Sequence, residues 1–109
     1  MKRGEVWTVS GGSDYVGKPR PAVIIQDDAF ADTASVTICA LTTMALSASL
    51  ARIAIDPSPF NGLRAPSQVM ADKVTSVPRA KLGRKIGRLS DADMSRVDRA
   101  LHVFLGLAR

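Results

Sequence analysis

Only one stretch of this chain is patterned as a long amphipathic helix, and it is the last one. Upstream, residues 4–9, 22–26, 35–42, 51–55, 67–77 and 84–89 read as strands. They are short apolar or alternating runs, most of them separated by Gly, Pro or Asp. Parallel strands need crossovers of a dozen residues or more, usually helices. A single terminal helix cannot supply them. The pattern therefore predicts a mostly antiparallel sheet of about five to seven strands, a compact barrel-like β domain with a C-terminal helix. A chain of 109 residues reads as one domain over 1–109, long enough to bury a core without disulfides.

The punctuation supports this division. Ala22–Gln26 is continuously apolar, which suits a strand buried on both faces. Ala51–Ile55 alternates, which suits one wet face. Asp56-Pro57-Ser58-Pro59-Phe60-Asn61-Gly62 is a strong break, and residues 78–82 fit a single helical turn. Residues 10–20 read as an irregular loop, whereas 43–50 fits either a loop or a helical turn. In the last element, Ser90-Asp91-Ala92-Asp93 resembles a capping box. Met94, Val97, Leu101 and Phe104 or Leu105 then fall on one face. Asp91 and Asp93 lie at the positive end of the helix and Arg109 near the negative end.

Composition removes several function classes. The single cysteine, Cys39, lies in an apolar run and cannot make an internal disulfide or a zinc site, so a buried, inert thiol is expected. No apolar run approaches the roughly 20 residues of a membrane span. The start has the charges of a signal peptide but no apolar h-region, so cytoplasmic residence is expected. There is no Gly-x-Gly-x-x-Gly and no Walker sequence, and no His/Cys cluster for a metal. The one histidine, His102, lies in the terminal helix among core-packing positions, which disfavours a histidine-based nuclease site. No cofactor is implied. Net charge of +5 favours nucleic acid or an acidic protein partner.

Three features are candidates for chemistry. Gly17-Lys18-Pro19-Arg20-Pro21 feeds the apolar run that follows. Prolines on both sides restrict the backbone of Arg20, and an arginine held this way is a charged fork suited to phosphate. A plain surface arginine in a flexible loop fits the local sequence better. Thr42 and Thr43 end an apolar strand, where a hydroxyl can reach a ligand or serve a turn. Arg79, Lys81, Arg84, Lys85 and Arg88 form a basic cluster, which fits a phosphate backbone, an acidic peptide or a solvated face. One Trp, one Tyr and three Phe make base stacking a lesser theme than clamping by arginine and hydroxyl groups.

Four phrases in order resemble the MazF/PemK family of toxin endoribonucleases. They are Lys2-Arg3-Gly4-Glu5-Val6-Trp7, Arg20-Pro21-Ala22-Val23-Ile24-Ile25-Gln26, Cys39-Ala40-Leu41-Thr42-Thr43 and the run Ser67–Val77, with the terminal helix in support. The resemblance covers essentially the whole chain. It implies a small SH3-like antiparallel barrel of the MazF/CcdB type, acting as a homodimer and neutralised by an antitoxin with an acidic disordered segment. It implies metal-independent cleavage of single-stranded RNA at a short sequence, giving 2′,3′-cyclic phosphate and 5′-hydroxyl ends. Catalysis is carried onto Arg20 and Thr42, and substrate binding onto Lys18, Thr43, Gln68, Asp72 and Lys73. Lys73 stands where the family often has glutamine. Because Thr42 and Thr43 are adjacent, either can be the carried hydroxyl. Two other readings are a non-enzymatic toxin of the same fold that binds DNA gyrase, like CcdB, and a catalytically weak nucleic-acid-binding module.

Overall fold

The computed structural model describes residues 1–10, 18–43 and 49–107. Most of the loop expected at 10–20, most of the open segment 43–50, and Arg109 lie outside the described residues. Seven strands and one helix follow in chain order: β1 (Glu5–Val9), β2 (Arg20–Ile24), β3 (Ser35–Thr42), β4 (Arg52–Ile55), β5 (Ser67–Met70), β6 (Thr75–Pro78), β7 (Leu82–Arg88) and α1 (Asp91–Phe104). Every ladder is antiparallel, as the shortage of crossover helices required. The strands run in the order β4-β5-β3-β2-β1-β7, with β6 also paired to β3.

Strand periodicity divides the core in two. On one face lie Val6, Val23, Cys39, Leu41, Ile53, Ile55 and Val69, packed against Val97, Ala100 and Leu101 of α1. The opposite face carries a smaller cluster of Val9, Ala22, Ile24, Val36 and Ile38, flanked by Trp7, Val77 and Leu82. β2 is thus apolar on both faces, which is why its alternation is erased. Each fully buried Val or Ile contributes about 1.5–3 kcal/mol. Ser90 Oγ accepts from the Asp93 amide at 3.1 Å, the capping bond expected at the start of α1.

Three expectations need correction. The run 67–77 is not one strand. Both β5 and β6 pair with the same edge of β3, but Thr42 opposes Gln68 whereas Ile38 opposes Thr75. Four steps along β3 are matched by seven along its partner, and the extra three residues are the 3-10 turn Ala71–Lys73. Arg20 is not in the loop but is the first residue of β2. Phe104 and Leu105 do not join the buried face; they are 49% and 53% exposed, and Ala100 takes that place beside Leu101.

The barrel is also not closed by a ladder. Among the described residues no strand pairing joins β4 to β7; the segment 56–63 bridges them instead. Phe60 O accepts from the Arg88 amide at 2.8 Å. A Cβ at Gly87 would lie 2.4 Å from Phe60 O, and one at Gly62 (φ +71°) 2.0 Å from Ile86 O, so only glycines allow this approach. Buried Asn61 locks the bridge. Its Oδ1 accepts from the Ser58 and Leu63 amides, each at 3.0 Å, and its Nδ2 donates to Asp56 O at 2.8 Å.

Candidate active site

Register brings the candidate residues together. Ala22 opposes Ala40, Val23 opposes Cys39 and Ile24 opposes Ile38. Continued by one pleat, this sets Arg20 beside Thr42 on the face that carries Ala22 and Ala40. Thr42 in turn opposes Gln68 across β5. Three strands therefore place an exposed arginine, a half-buried threonine and a half-buried glutamine in one row at the sheet's end. The Gln68 Oε1 is buried and accepts no hydrogen bond among the described residues. Lys18 is exposed two residues before Arg20.

Thr43 goes elsewhere. One residue past Thr42, it belongs to the opposite face and lines a cleft of about 970 Å3 with Pro19, Pro21 and Ser67. The cleft contains the neighbours of Arg20 and Thr42 but neither residue itself. Asp72 and Lys73 occupy the 3-10 turn. The Asp72 carboxylate takes a two-point contact from Arg52, Nε at 2.8 Å and Nη2 at 3.1 Å. That hydrogen bonding holds the Asp72 carboxyl below the usual carboxylate range. Lys73 is exposed at the turn's end.

The basic cluster is divided by its surroundings. Arg79 is spent on structure: its guanidinium donates to the carbonyls of Ala31 and Thr33. Arg84 and Lys85 line the cleft, and Lys85 also pairs with Glu5 at 3.0 Å. Arg88 lies 3.9 Å from Asp91. Cys39 is fully buried; burial, with the nearby Asp72 charge, pushes its thiol up to about 12, the inert state its apolar run suggested. His102 is exposed, with Nδ1 2.8 Å from Asp98 O of its own helix. Among the described residues no three His, Cys, Asp or Glu side chains cluster as a metal site.

The opening phrase serves the fold. Arg3 bonds Asp98 of α1 at 2.6 Å and Ile25 O at 2.8 Å. Gly4 turns at φ +89°. Glu5 accepts from the Trp7 indole at 3.0 Å.

Residues 2–105 match the model of the PemK-like, MazF-like toxins of type II toxin–antitoxin systems. The chain belongs to this family. Among MazF-like relatives, a probable endoribonuclease MazF of Mycolicibacterium smegmatis is 53% identical over 108 residues, covering 99% of each chain. Endoribonuclease MazF9 of Mycobacterium tuberculosis is 28% identical over 116 residues, covering 98% of each. An endoribonuclease solved in complex with its cognate antitoxin from a mycobacterial species superposes with a TM-score of 0.85 at 27% identity, over 100% of this chain and 98% of that one. The sheet with its terminal helix is thus the MazF architecture.

Sequence reading missed Arg64 and the cleft it lines. No local signal marks either, because the cleft arises where the bridging segment meets β7.

Proposed function

We propose that this MazF-like toxin is a metal-independent, sequence-specific endoribonuclease that cuts single-stranded RNA to 2′,3′-cyclic phosphate and 5′-hydroxyl ends. The observation that carries the reading is the register row Arg20–Thr42–Gln68, within a family whose relatives are named endoribonucleases. In the step proposed, the 2′-hydroxyl of one nucleotide attacks its own 3′-phosphate. The P–O5′ bond breaks, the 2′-proton leaves to solvent or a bound group, and the departing 5′-oxygen gains a proton. The Arg20 guanidinium neutralises the charge that grows on the phosphorane oxygens, and its permanent charge suits it to this better than to proton abstraction. Thr42 donates a hydrogen bond to a phosphate oxygen. Among the two threonines, Thr42 is favoured because it alone shares the arginine's face. Gln68, half-buried beside Thr42, meets the nucleotide through its side-chain amide once the buried Oε1 turns outward, while Lys18 and Lys73 meet flanking phosphates. Asp72, fixed by Arg52, borders the site from the 3-10 turn. Without a nearby histidine the rate forgoes the roughly 10²–10⁴-fold that a good acid–base pair contributes, so turnover rests on positioning.

A homodimer and an antitoxin with an acidic disordered segment complete the proposal. The antitoxin is supported by the related complex and by the net charge of +5. Cytoplasmic action is proposed with it; among the described residues no helix is long and apolar enough to cross a membrane.

The chemistry is tested on an RNA oligonucleotide containing a mapped cut, in EDTA, beside the same oligonucleotide with 2′-deoxyribose at the nucleotide 5′ to the cut. Mass spectrometry should find a cyclic phosphate from the first and no product from the second. Cleavage of the deoxy substrate would overturn the mechanism.

A further inference from the structure

The cleft near the reacting row has walls from four strands (β1, β2, β5 and β7) and the bridging segment, and about 970 Å3 of space. Small-molecule pockets span roughly 300–1,000 Å3, so it has room for more than a single base. β7 forms one wall in an unusual way. Gly83, Arg84, Lys85 and Ile86 all line it, although consecutive residues of a regular strand point to opposite faces. The β1–β7 register slips twice, between Val6 and Trp7 and between Trp7 and Val9. Bulges of this kind re-aim side chains. The second slip is fixed by Thr8, whose Oγ1 accepts from the Arg84 amide at 3.0 Å and would lie 2.3 Å from any Cβ at position 83.

The cleft's cations are not equivalent. Lys85 is committed to Glu5. The guanidinium groups of Arg64 and Arg84 make no hydrogen bond or ion pair among the described residues, and both residues are exposed. Pro19, Pro21, Leu63 and Ile86 supply apolar surface between them. Pro19 and Pro21 flank Arg20 in the chain and Thr43 follows Thr42, so the cleft lies on the other side of the sheet's end from the reacting row. A strand of nucleotides that passes around that end reaches the cleft from the row.

We infer that the cleft binds the nucleotides on one side of the scissile phosphate. Arg64 and Arg84 hold backbone phosphates, and the proline–leucine–isoleucine wall takes a base and contributes to choice of the cut sequence. The inference rests on the ribonuclease reading and adds to it a specificity surface separate from the catalytic row. An acidic peptide would meet the same cations, but the adjacency of Pro19, Pro21 and Thr43 to Arg20 and Thr42 at the sheet's end favours the RNA itself.

The test follows cleavage of a random-sequence RNA pool by wild type, Arg64→Ala/Arg84→Ala and Ala65→Trp, with thermal melts to establish that each variant folds. The double variant should raise KM roughly tenfold at low salt and leave kcat nearly unchanged, as expected when cations that hold backbone phosphates are removed. Its dependence of log KM on log salt should flatten by about 1.4, at about 0.7 for each phosphate of a single strand left without its arginine. Ala65 also lines the cleft, and Ala65→Trp, which crowds it beside Leu63, should alter base preference on one side of the cut only. Unchanged KM, salt slope and base preference in folded variants overturn the inference while the ribonuclease reading stands. Weaker inhibition by an acidic antitoxin peptide with unchanged RNA kinetics also overturns it, making the cleft a peptide site. A folded wild type that cuts nothing overturns the ribonuclease reading and this inference together.

Discussion

At the scale of single residues, the pleat separates roles that the chain places side by side. Thr42 and Thr43 are neighbours, yet only Thr42 joins Arg20 on one face, and Thr43 lines the cleft. Thr42→Ala should therefore lower kcat by about tenfold or more, with Thr43→Ala acting on KM, as single-turnover kinetics will resolve. Arg20→Ala should cost about 10²–10³-fold in kcat, the usual loss for a charge-stabilising donor, with Arg20→Lys recovering part of it. Glu5 gives a further prediction. Burial raises its carboxyl, but hydrogen bonds from the Trp7 indole and the Lys2 amide, with the Lys85 contact, outweigh burial and hold it down to about 2 against an ordinary 4.5. A folded value below the unfolded one contributes stability that is complete above about pH 5 and is lost as pH falls towards 2. Glu5→Gln should lower Tm at pH 7 and flatten the acid limb of the Tm–pH curve. An acid limb identical to wild type would contradict this account.

At the scale of elements, the bridge over residues 56–63 takes the place that a closing ladder would have in a barrel. Asn61 satisfies three backbone groups at once. Asn61→Ala should destabilise by about 2–4 kcal/mol by leaving them unpaired, read as a fall in the denaturant midpoint at unchanged slope. β3 was legible end to end because its branched, apolar run is paired along both edges. β4 was legible from its alternation, with Ile53 and Ile55 buried and Ala54 exposed. The 3-10 turn inside 67–77 was not legible, since Ala71, Asp72 and Lys73 carry no breaker. It is held from outside, by Arg52 on Asp72 and by the Ala71 amide donating to Ala51 O at 2.8 Å. The start of β2 was misplaced because two prolines read as loop, whereas Pro21 sits opposite Thr8 within the ladder. The row Arg20–Thr42 was legible through family likeness, not from local sequence. The cleft was invisible because two register slips and a crossing segment build it.

At the scale of the whole molecule, the parts fit one use. α1 and the larger core cover one face of the sheet, and the row Arg20, Thr42 and Gln68 sits at the strand ends, with a cationic cleft around the sheet's end from it. In the proposed reading, the net charge of +5 would draw RNA over longer range. The homodimer in this picture should sediment as a dimer at micromolar concentration; a monomer there would remove it. The central claim, that the Arg20 row cuts RNA without a metal, is most directly met by incubating purified protein with total RNA in EDTA, beside Arg20→Ala, and mapping 5′ ends. Discrete cuts at a shared short sequence, bearing 5′-hydroxyl ends and lost in the folded variant, are the result predicted. Intact RNA with folded wild type, or equal cutting by Arg20→Ala, would contradict it.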